Sequence, residues 1–302
     1  MRLSIIIVLV AWLQTAQAAG DCAGSDVRLQ VLGSGGPELN DDRASTSYLV
    51  WRGDRALVLV DLGAGAALHF ERSGAEFADL AAIALTHLHA DHAADLPALV
   101  KGGYFSARTR SLPVFGPAGN ALMPATSRYV DALFSRSGAF PYLSDHLPGG
   151  DTDNFTLEAV DVPIEPRGIS RYTLEPELTL AAVPVHHGPV AAVAWRVDVG
   201  SCSVSFSGDM SGRYGTLPEL ARNSDLLVMH NAVPESAGDV AVQLHMRPSR
   251  IGELAAEAKP RAVLLSHRMR RTLDKEQETL REIRRYYDGP VSFADDLAVV
   301  AP

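Results

Sequence analysis

The sequence lacks an apolar run long enough to span a membrane, lacks an excess of positive charge, and carries only two cysteines. The apolar stretch from Leu3 to Leu13 is far shorter than the about 20 residues a spanning helix needs. It follows one basic residue, Arg2, and leads to Ala16-Gln17-Ala18, the small-x-small pattern of a signal-peptidase site. Residues 1–18 therefore read as a cleaved signal peptide and residues 19–302 as one mature domain, periplasmic or secreted, with no stable membrane anchor. Lipidation of Cys22 is disfavoured because Asp21 stands where a small residue is expected. The formal charge of −9 gives no broad electrostatic attraction to a nucleic-acid backbone, so no nucleic-acid partner is expected. With export, Cys22 and Cys202 can pair as a disulfide or stay as separate thiols, one near a chain end and one in "GSCSVSFSG".

What is present is a globular composition, 47% hydrophobic over 302 residues. Short β-like runs alternate with helical ones. "DVRLQVLGSGG" is a strand breaking into a glycine turn, and "TSYLVWRGDRALVLVDLGAG" is two strands joined at Gly53-Asp54. Leu96, Leu99 and Val100 have helical spacing, "LPVFGP" is a strand, and "ALMPATSRYVDALFSRSG" reads as one helix. The second half repeats this rhythm, from "LTLAAVPVHHG" through "VAAVAWRVDVG", "SCSVSFSGD", "SDLLVMHNA", "RPSRIGELAAEAK", "RAVLLSH" and "KEQETLREIRRYYD" to "AVVAP". Histidines fall at strand ends, which suits an α/β sandwich of two sheets flanked by helices, with the site on the rim.

The stretch "LTHLHADH" crowds His87, His89, Asp91 and His92 into one turn. Imidazole and carboxylate together are the donors of a zinc or similar divalent site. Alternation in an extended loop lets His87 and His89 face one point while Asp91 and His92 face another, so one motif serves two neighbouring metals. Further ligands follow apolar strands: His186 or His187 in "VPVHHGPV", Asp209 in "FSGD" and His267 in "VLLSH". A carboxylate offers two oxygens, and Asp209 is read as the bridge.

"HLHADH", "VPVHHGPV", "FSGD" and "LLSH", in this order, resemble the metallo-β-lactamase superfamily of hydrolases, nearest to its ribonuclease Z and zinc arylsulfatase branch. "VLGSGG", "RASTSYLV", "VLVDLGAG", "PVFGPAG" and "SFADDLAVV" extend the likeness over the mature chain. The resemblance implies the αββα sandwich of two mixed β-sheets. It implies His87, His89 and His187 around one Zn2+, Asp91, His92 and His267 around a second, and Asp209 between them; Mn2+ or Fe2+ could take the same ligands. His186 becomes a neighbour of the site and Asp61 a residue that orients ligands. The metals lower the pKa of a shared water so that hydroxide is available near neutral pH. Asp91 and His245 are the candidate catalytic residues, His245 as proton donor to the leaving group.

The chain departs from ribonuclease Z in two places. That family follows the "LLVMHNA" histidine with a glutamate that pairs with the donor histidine; here His230 is followed by Asn231, and Glu235 is the nearest substitute. His230 itself reads equally as a core histidine or a site residue. Nor does "GPVAAVAWRVDVGSCSVSFSG", between His187 and Asp209, hold the long basic arm that grips transfer RNA. The expected substrate is therefore a small phosphodiester. Alternatives are a sulfate ester or lactone on the same fold, or a metal-binding module without catalysis. Tyr104, Phe105, Tyr129, Phe134, Phe140 and Tyr142 could line a pocket over the metals or serve as helix core. Oligomeric state is left open, with a homodimer among the options.

Overall fold

A computed structural model of the chain describes Cys22 and residues 24–302; the expected signal peptide lies outside the described residues. The first half supplies strands β1 (Val27–Gly33), β2 (Ser47–Arg52), β3 (Arg55–Val60), β4 (Ala82–Ala84), β5 (Leu112–Pro117) and β6 (Leu157–Val162). The second supplies β7 (Ser170–Glu175), β8 (Leu178–His187), β9 (Val190–Val199), β10 (Cys202–Phe206), β11 (Leu226–His230), β12 (Ala262–Ser266) and β13 (Val291–Phe293). The last strand, β14 (Val299–Val300), returns to the first sheet and pairs antiparallel with β1. Two seven-stranded sheets result, ordered β14-β1-β2-β3-β4-β5-β6 and β13-β12-β11-β10-β9-β8-β7. Each is mixed: β1 to β3 and β7 to β10 pair antiparallel, whereas β3 to β6 and β10 to β13 pair parallel.

The two-residue period of a strand explains the layers. Tyr48 and Val50 face the second sheet, where they meet Trp195, Phe206 and Val228. Leu49 and Trp51, one residue out of phase, face the helices α1 (Ala66–Arg72), α2 (Ala90–Ala93), α3 (Leu96–Gly103) and α4 (Thr126–Phe134). On the other side Leu227 and Met229 pack beneath α5 (Leu217–Leu220), α6 (Asp239–Val242), α7 (Pro248–Ala258) and α8 (Glu276–Ile283), with Leu220, Ile251, Leu254 and Ile283 among the contacts. Burying each such Leu, Ile or Val side chain contributes about 1.5–3 kcal/mol relative to exposing it. This is the expected αββα sandwich.

In α7, Ile251, Leu254, Ala255 and Ala258 recur at helical spacing on the buried face. Proline enters at its first position, and Lys259 ends it in the left-handed region at φ 56°. The helix expected over "ALMPATSRYVDALFSRSG" is shorter than its pattern suggested. Asn120 Oδ1 accepts from the Leu122 and Met123 backbone N–H groups, forming a turn, Pro124 biases Met123 away from helical geometry, and α4 starts only at Thr126. Cys22 and Cys202 form a disulfide that ties the start of the described chain to β10.

A candidate dinuclear metal centre

The histidine-rich turn begins where β4 ends, and hydrogen bonds join it to both sheets. Leu85 N–H donates to Phe115 in β5, the Trp195 indole N–H donates to Leu85 C=O at 3.0 Å, and Val193 N–H of β9 donates to Thr86 C=O at 2.9 Å. Leu62 N–H in turn donates to His92 C=O at 2.7 Å. The other candidate ligands come from parallel or hairpin strand ends: His187 closes β8, Asp209 follows β10, and His267 follows β12 at φ 53°. Strand ends meeting on one rim thus gather residues nearly two hundred positions apart.

Fixed acceptors dictate how each imidazole points. Asp61, fully buried, accepts from Thr86 N–H at 2.7 Å, from the Thr86 hydroxyl at 2.8 Å and from His92 Nδ1–H at 2.8 Å. Having donated its hydrogen to Asp61, the Thr86 oxygen accepts from His87 Nδ1–H at 3.1 Å. The Thr46 hydroxyl donates to Gly35 C=O and accepts from His267 Nδ1–H at 2.6 Å. His187 Nδ1–H donates to Leu244 C=O at 2.8 Å. Each of these four rings therefore turns its Nε2 inward, the arrangement of histidines oriented for a metal.

Those inward nitrogens fall into two sets. His87 Nε2 lies 3.0 Å and His187 Nε2 3.4 Å from His89 Nδ1, and the donor atoms of His87, His89, His187 and Asp209 all lie within 4.8 Å of one another. A second set of the same compactness holds His92, Asp209, His230 and His267. His230 is not a free donor in it: its Nδ1 is spent on Asp209 at 2.8 Å and its Nε2 on the Tyr48 hydroxyl at 3.1 Å. Asp91 stands in its place, with Oδ2 at 3.6 Å from His92 Nε2 and 3.9 Å from His267 Nε2. Asp209 joins the sets, with Oδ2 at 3.6 to 3.7 Å from His92 and His187 and Oδ1 at 3.4 Å from His267.

The donor set fits divalent cations. His92 Nε2 and His267 Nε2 are buried with no hydrogen-bond partner, a costly state for a polar nitrogen that a cation relieves. Burial pushes His87 and His267 well below the usual histidine range, and His187 down to about 4, so their lone pairs are available at neutral pH. Burial opposes ionisation of Asp209, yet His267 and His245 beside it hold its carboxyl well below the usual range. His92 is the exception: burial lowers it, but the carboxylates of Asp61 and Asp209 outweigh that and raise it.

His245 reaches the same centre, its buried Nδ1 at 3.8 Å from Asp209 Oδ1 and without a partner. Burial, and then the nearby Arg271 cation, lower its pKa. Glu235 does not replace the missing glutamate: both of its oxygens accept from Ser249, one from the backbone N–H and one from the hydroxyl, capping α7. Asn231 is fully buried with both amide atoms unpartnered. His186, next to His187 but on the opposite strand face, turns to the Ser211 hydroxyl at 2.8 Å and to Tyr214. Of the two readings of the aromatic residues, pocket lining over the metals or helix core, the structure places them away from the metals. Phe134 is core, Tyr129 donates to Ala93 C=O, and Tyr104, Phe105 and Tyr142 surround the Lys101 ammonium. They belong to the helical layer outside the first sheet, where α3 carries them away from the rim.

Thr46, Tyr48 and Thr86, which hold the site from behind, were not singled out from sequence. Their signal is polar side chains, Thr46 and Tyr48, at alternate positions on the inward face of β2 and its approach.

The metallo-beta-lactamase superfamily model matches residues 40–267. Ribonuclease Z of Mycobacterium bovis is 31% identical over 211 residues, covering 67% of this chain and 69% of that protein. An uncharacterized protein of Mycobacterium tuberculosis is 30% identical over 273 residues, 88% of each. Among solved structures, the metallo-beta-lactamase fold protein YhfI from Bacillus subtilis superposes with a TM-score of 0.68 at 22% identity, covering 91% of this chain and 98% of that one. The short form of human tRNase Z gives a TM-score of 0.68 at 16% identity, covering 91% and 99%. The similarity to ribonuclease Z overturns the expectation that nucleic acid is excluded as a partner. Net charge sums over the whole surface, whereas phosphates respond to local fields, and here exposed Arg270 and Arg271 lie three and four residues after His267. The matched family model, the fold and the His/Asp cluster together establish that this chain belongs to the metallo-beta-lactamase superfamily and is a metal-dependent hydrolase.

Proposed function

We propose that the protein is an exported dinuclear-metal phosphodiesterase, with small phosphodiesters as substrates. The observation that carries this reading is the pair of donor sets sharing Asp209, each lined by inward-facing imidazoles. His87, His89 and His187 would hold one Zn2+, and Asp91, His92 and His267 the other, with Asp209 between them. Bound there, the metals supply Lewis acidity for a phosphate oxygen and a strongly acidified water. The chain's own residues do the remaining work. Asp61, Thr86 and Thr46 keep the imidazoles in register, and His245 faces the centre from the α6–α7 connection, where it can deliver a proton to a leaving oxygen.

The small-substrate reading is supported by the connection from His187 to Asp209, which β9 and β10 occupy completely as a tight antiparallel meander. The relatives named ribonuclease Z favour RNA as a second phosphodiester substrate. Export is supported by the Cys22–Cys202 disulfide, a bond that persists in oxidising compartments.

The deciding experiment assays the zinc-loaded protein on bis(p-nitrophenyl) phosphate, p-nitrophenyl sulfate and an RNA oligonucleotide, with metal content measured per chain. Turnover of the small diester above the other two, with two metals bound, is the expected result, and Asp209→Ala should lose the second metal and nearly all turnover. Preference for RNA would move the substrate to nucleic acid, and preference for the sulfate to an arylsulfatase. Full activity in Asp209→Ala would sink the dinuclear reading.

A further inference from the structure

His230 is one of the most enclosed polar residues beside the centre, 2% exposed, and both of its ring nitrogens are engaged. Nδ1 lies 2.8 Å from Asp209 Oδ1 and Nε2 3.1 Å from the hydroxyl of Tyr48, itself fully buried. The contact crosses the sandwich: Tyr48 stands on β2 of the first sheet and His230 on β11 of the second. An ionised carboxylate only accepts, so the proton must sit on Nδ1; a neutral ring then has its lone pair on Nε2, and Tyr48 O–H donates to it. The tyrosine thus selects the tautomer that grips Asp209. Ring packing holds the assembly in place, with His230 stacked on His267 at 4.8 Å and 8° and Tyr48 against Phe206 at 5.4 Å.

This grip makes the two Asp209 oxygens unequal. Oδ1 is fixed by His230, which leaves Oδ2 between His92 at 3.6 Å and His187 at 3.7 Å, one from each donor set. A carboxylate free to rotate about its Cβ–Cγ bond would not stay in that position. We infer that Tyr48 and His230 are a positioning relay that fixes the bridging orientation of Asp209 and so sets the affinity of the metal position made by Asp91, His92 and His267. The inference rests on the dinuclear reading above. The first donor set depends on it less, because His87, His89 and His187 supply three ligands that do not touch the relay.

The test measures binding of Zn2+ to metal-stripped protein by competition with a chromophoric chelator, together with the visible absorption of the Co2+ form. Wild type is compared with Tyr48→Phe, His230→Leu and His230→Asn, each checked for folding by circular dichroism. Tyr48→Phe and His230→Leu should weaken the second metal about 10-fold to 100-fold, the range for lost partners of a ligand, while the first changes by less than about 2-fold. His230→Asn, whose side-chain amide nitrogen can take the place of Nδ1, should restore the second affinity to within about 5-fold of wild type, within what one retained hydrogen bond accounts for. The Co2+ spectrum of Tyr48→Phe should change only in the second equivalent added. If Tyr48→Phe binds the second metal as tightly as wild type, or if both metals weaken together, the relay is overturned. That holds even if His230→Leu does not fold. A wild type that binds a single metal overturns the dinuclear reading and the relay with it, which separates the two failures.

Discussion

Asp61 and His92 share a hydrogen bond of 2.8 Å with neither residue exposed to solvent, and Asp61 adopts the left-handed backbone conformation at φ 56° to make it. The same carboxylate holds Thr86, which in turn orients His87. One side chain placed at the end of β3 therefore aims a ligand of each donor set. Asp61→Asn should preserve the backbone, since asparagine tolerates that conformation, while losing the charge behind His92. We expect metal affinity to fall about 10-fold to 100-fold with little change in fold. Chelator competition on the variant measures this, and wild-type affinity would show that the carboxylate is merely structural.

Gly63 sits against the backbone of the ligand loop. A Cβ there would overlap the Asp91 carbonyl oxygen and lie 2.7 Å from Ser45 Cβ. Backbone on one side and a packed side chain on the other cannot both yield. Gly63→Ala should destabilise the protein by about 1–3 kcal/mol and displace Asp91 and His92 together. Urea unfolding and metal stoichiometry are the readouts; a variant that keeps both metals and full stability would refute the close approach.

Trp195 connects the second sheet to the start of the histidine turn through its indole N–H and Leu85 C=O. Trp195→Phe keeps an aromatic ring in the core but removes that donor. A loss of about 1–3 kcal/mol is expected from the unsatisfied carbonyl alone, before any cavity is counted. Equilibrium denaturation in which the variant matches wild type would show that the carbonyl finds another partner.

Acid should destabilise the metal-free protein through its buried imidazoles. His187 is held down to about 4 by burial, against about 6.5 in the unfolded chain. As the pH falls below about 6.5 the unfolded state takes up the proton first, so stability declines from there to about 4 and this residue adds no further slope below. His87 and His267, also lowered by burial, act in the same direction. His92, raised by Asp61 and Asp209, acts the opposite way but only above about 6.5, so urea midpoints of the stripped protein at pH 6, 5 and 4.5 should fall in that order; a flat series would mean that the His87, His187 and His267 rings are protonated when folded.

Much of this could be read along the chain, because the information is local. "LTHLHADH" carries its ligands within one turn, and the strands announce themselves by apolar runs ending in glycine or histidine. The helix before Ser135 was overextended because periodicity does not register a turn closed by the Asn120 side chain. The aromatic residues after Lys101 were ambiguous for the same reason: composition gives their number, while the direction of α3 and α4 decides what they face.

By itself the sequence determined the sandwich and the order of the ligands, since strand periodicity and short-range spacing are properties of the chain alone, while the choice of His187 over its neighbour His186 rested on the family resemblance. Only the tertiary structure decided what stands behind His267 and Asp209, and which ligand Asp61 holds. Thr46 behind His267, and Tyr48 behind His230 and thus Asp209, are contacts across the sandwich between segments far apart in the chain. No local pattern encodes such contacts, because they arise when two sheets pack and buried polar groups must find partners in one another.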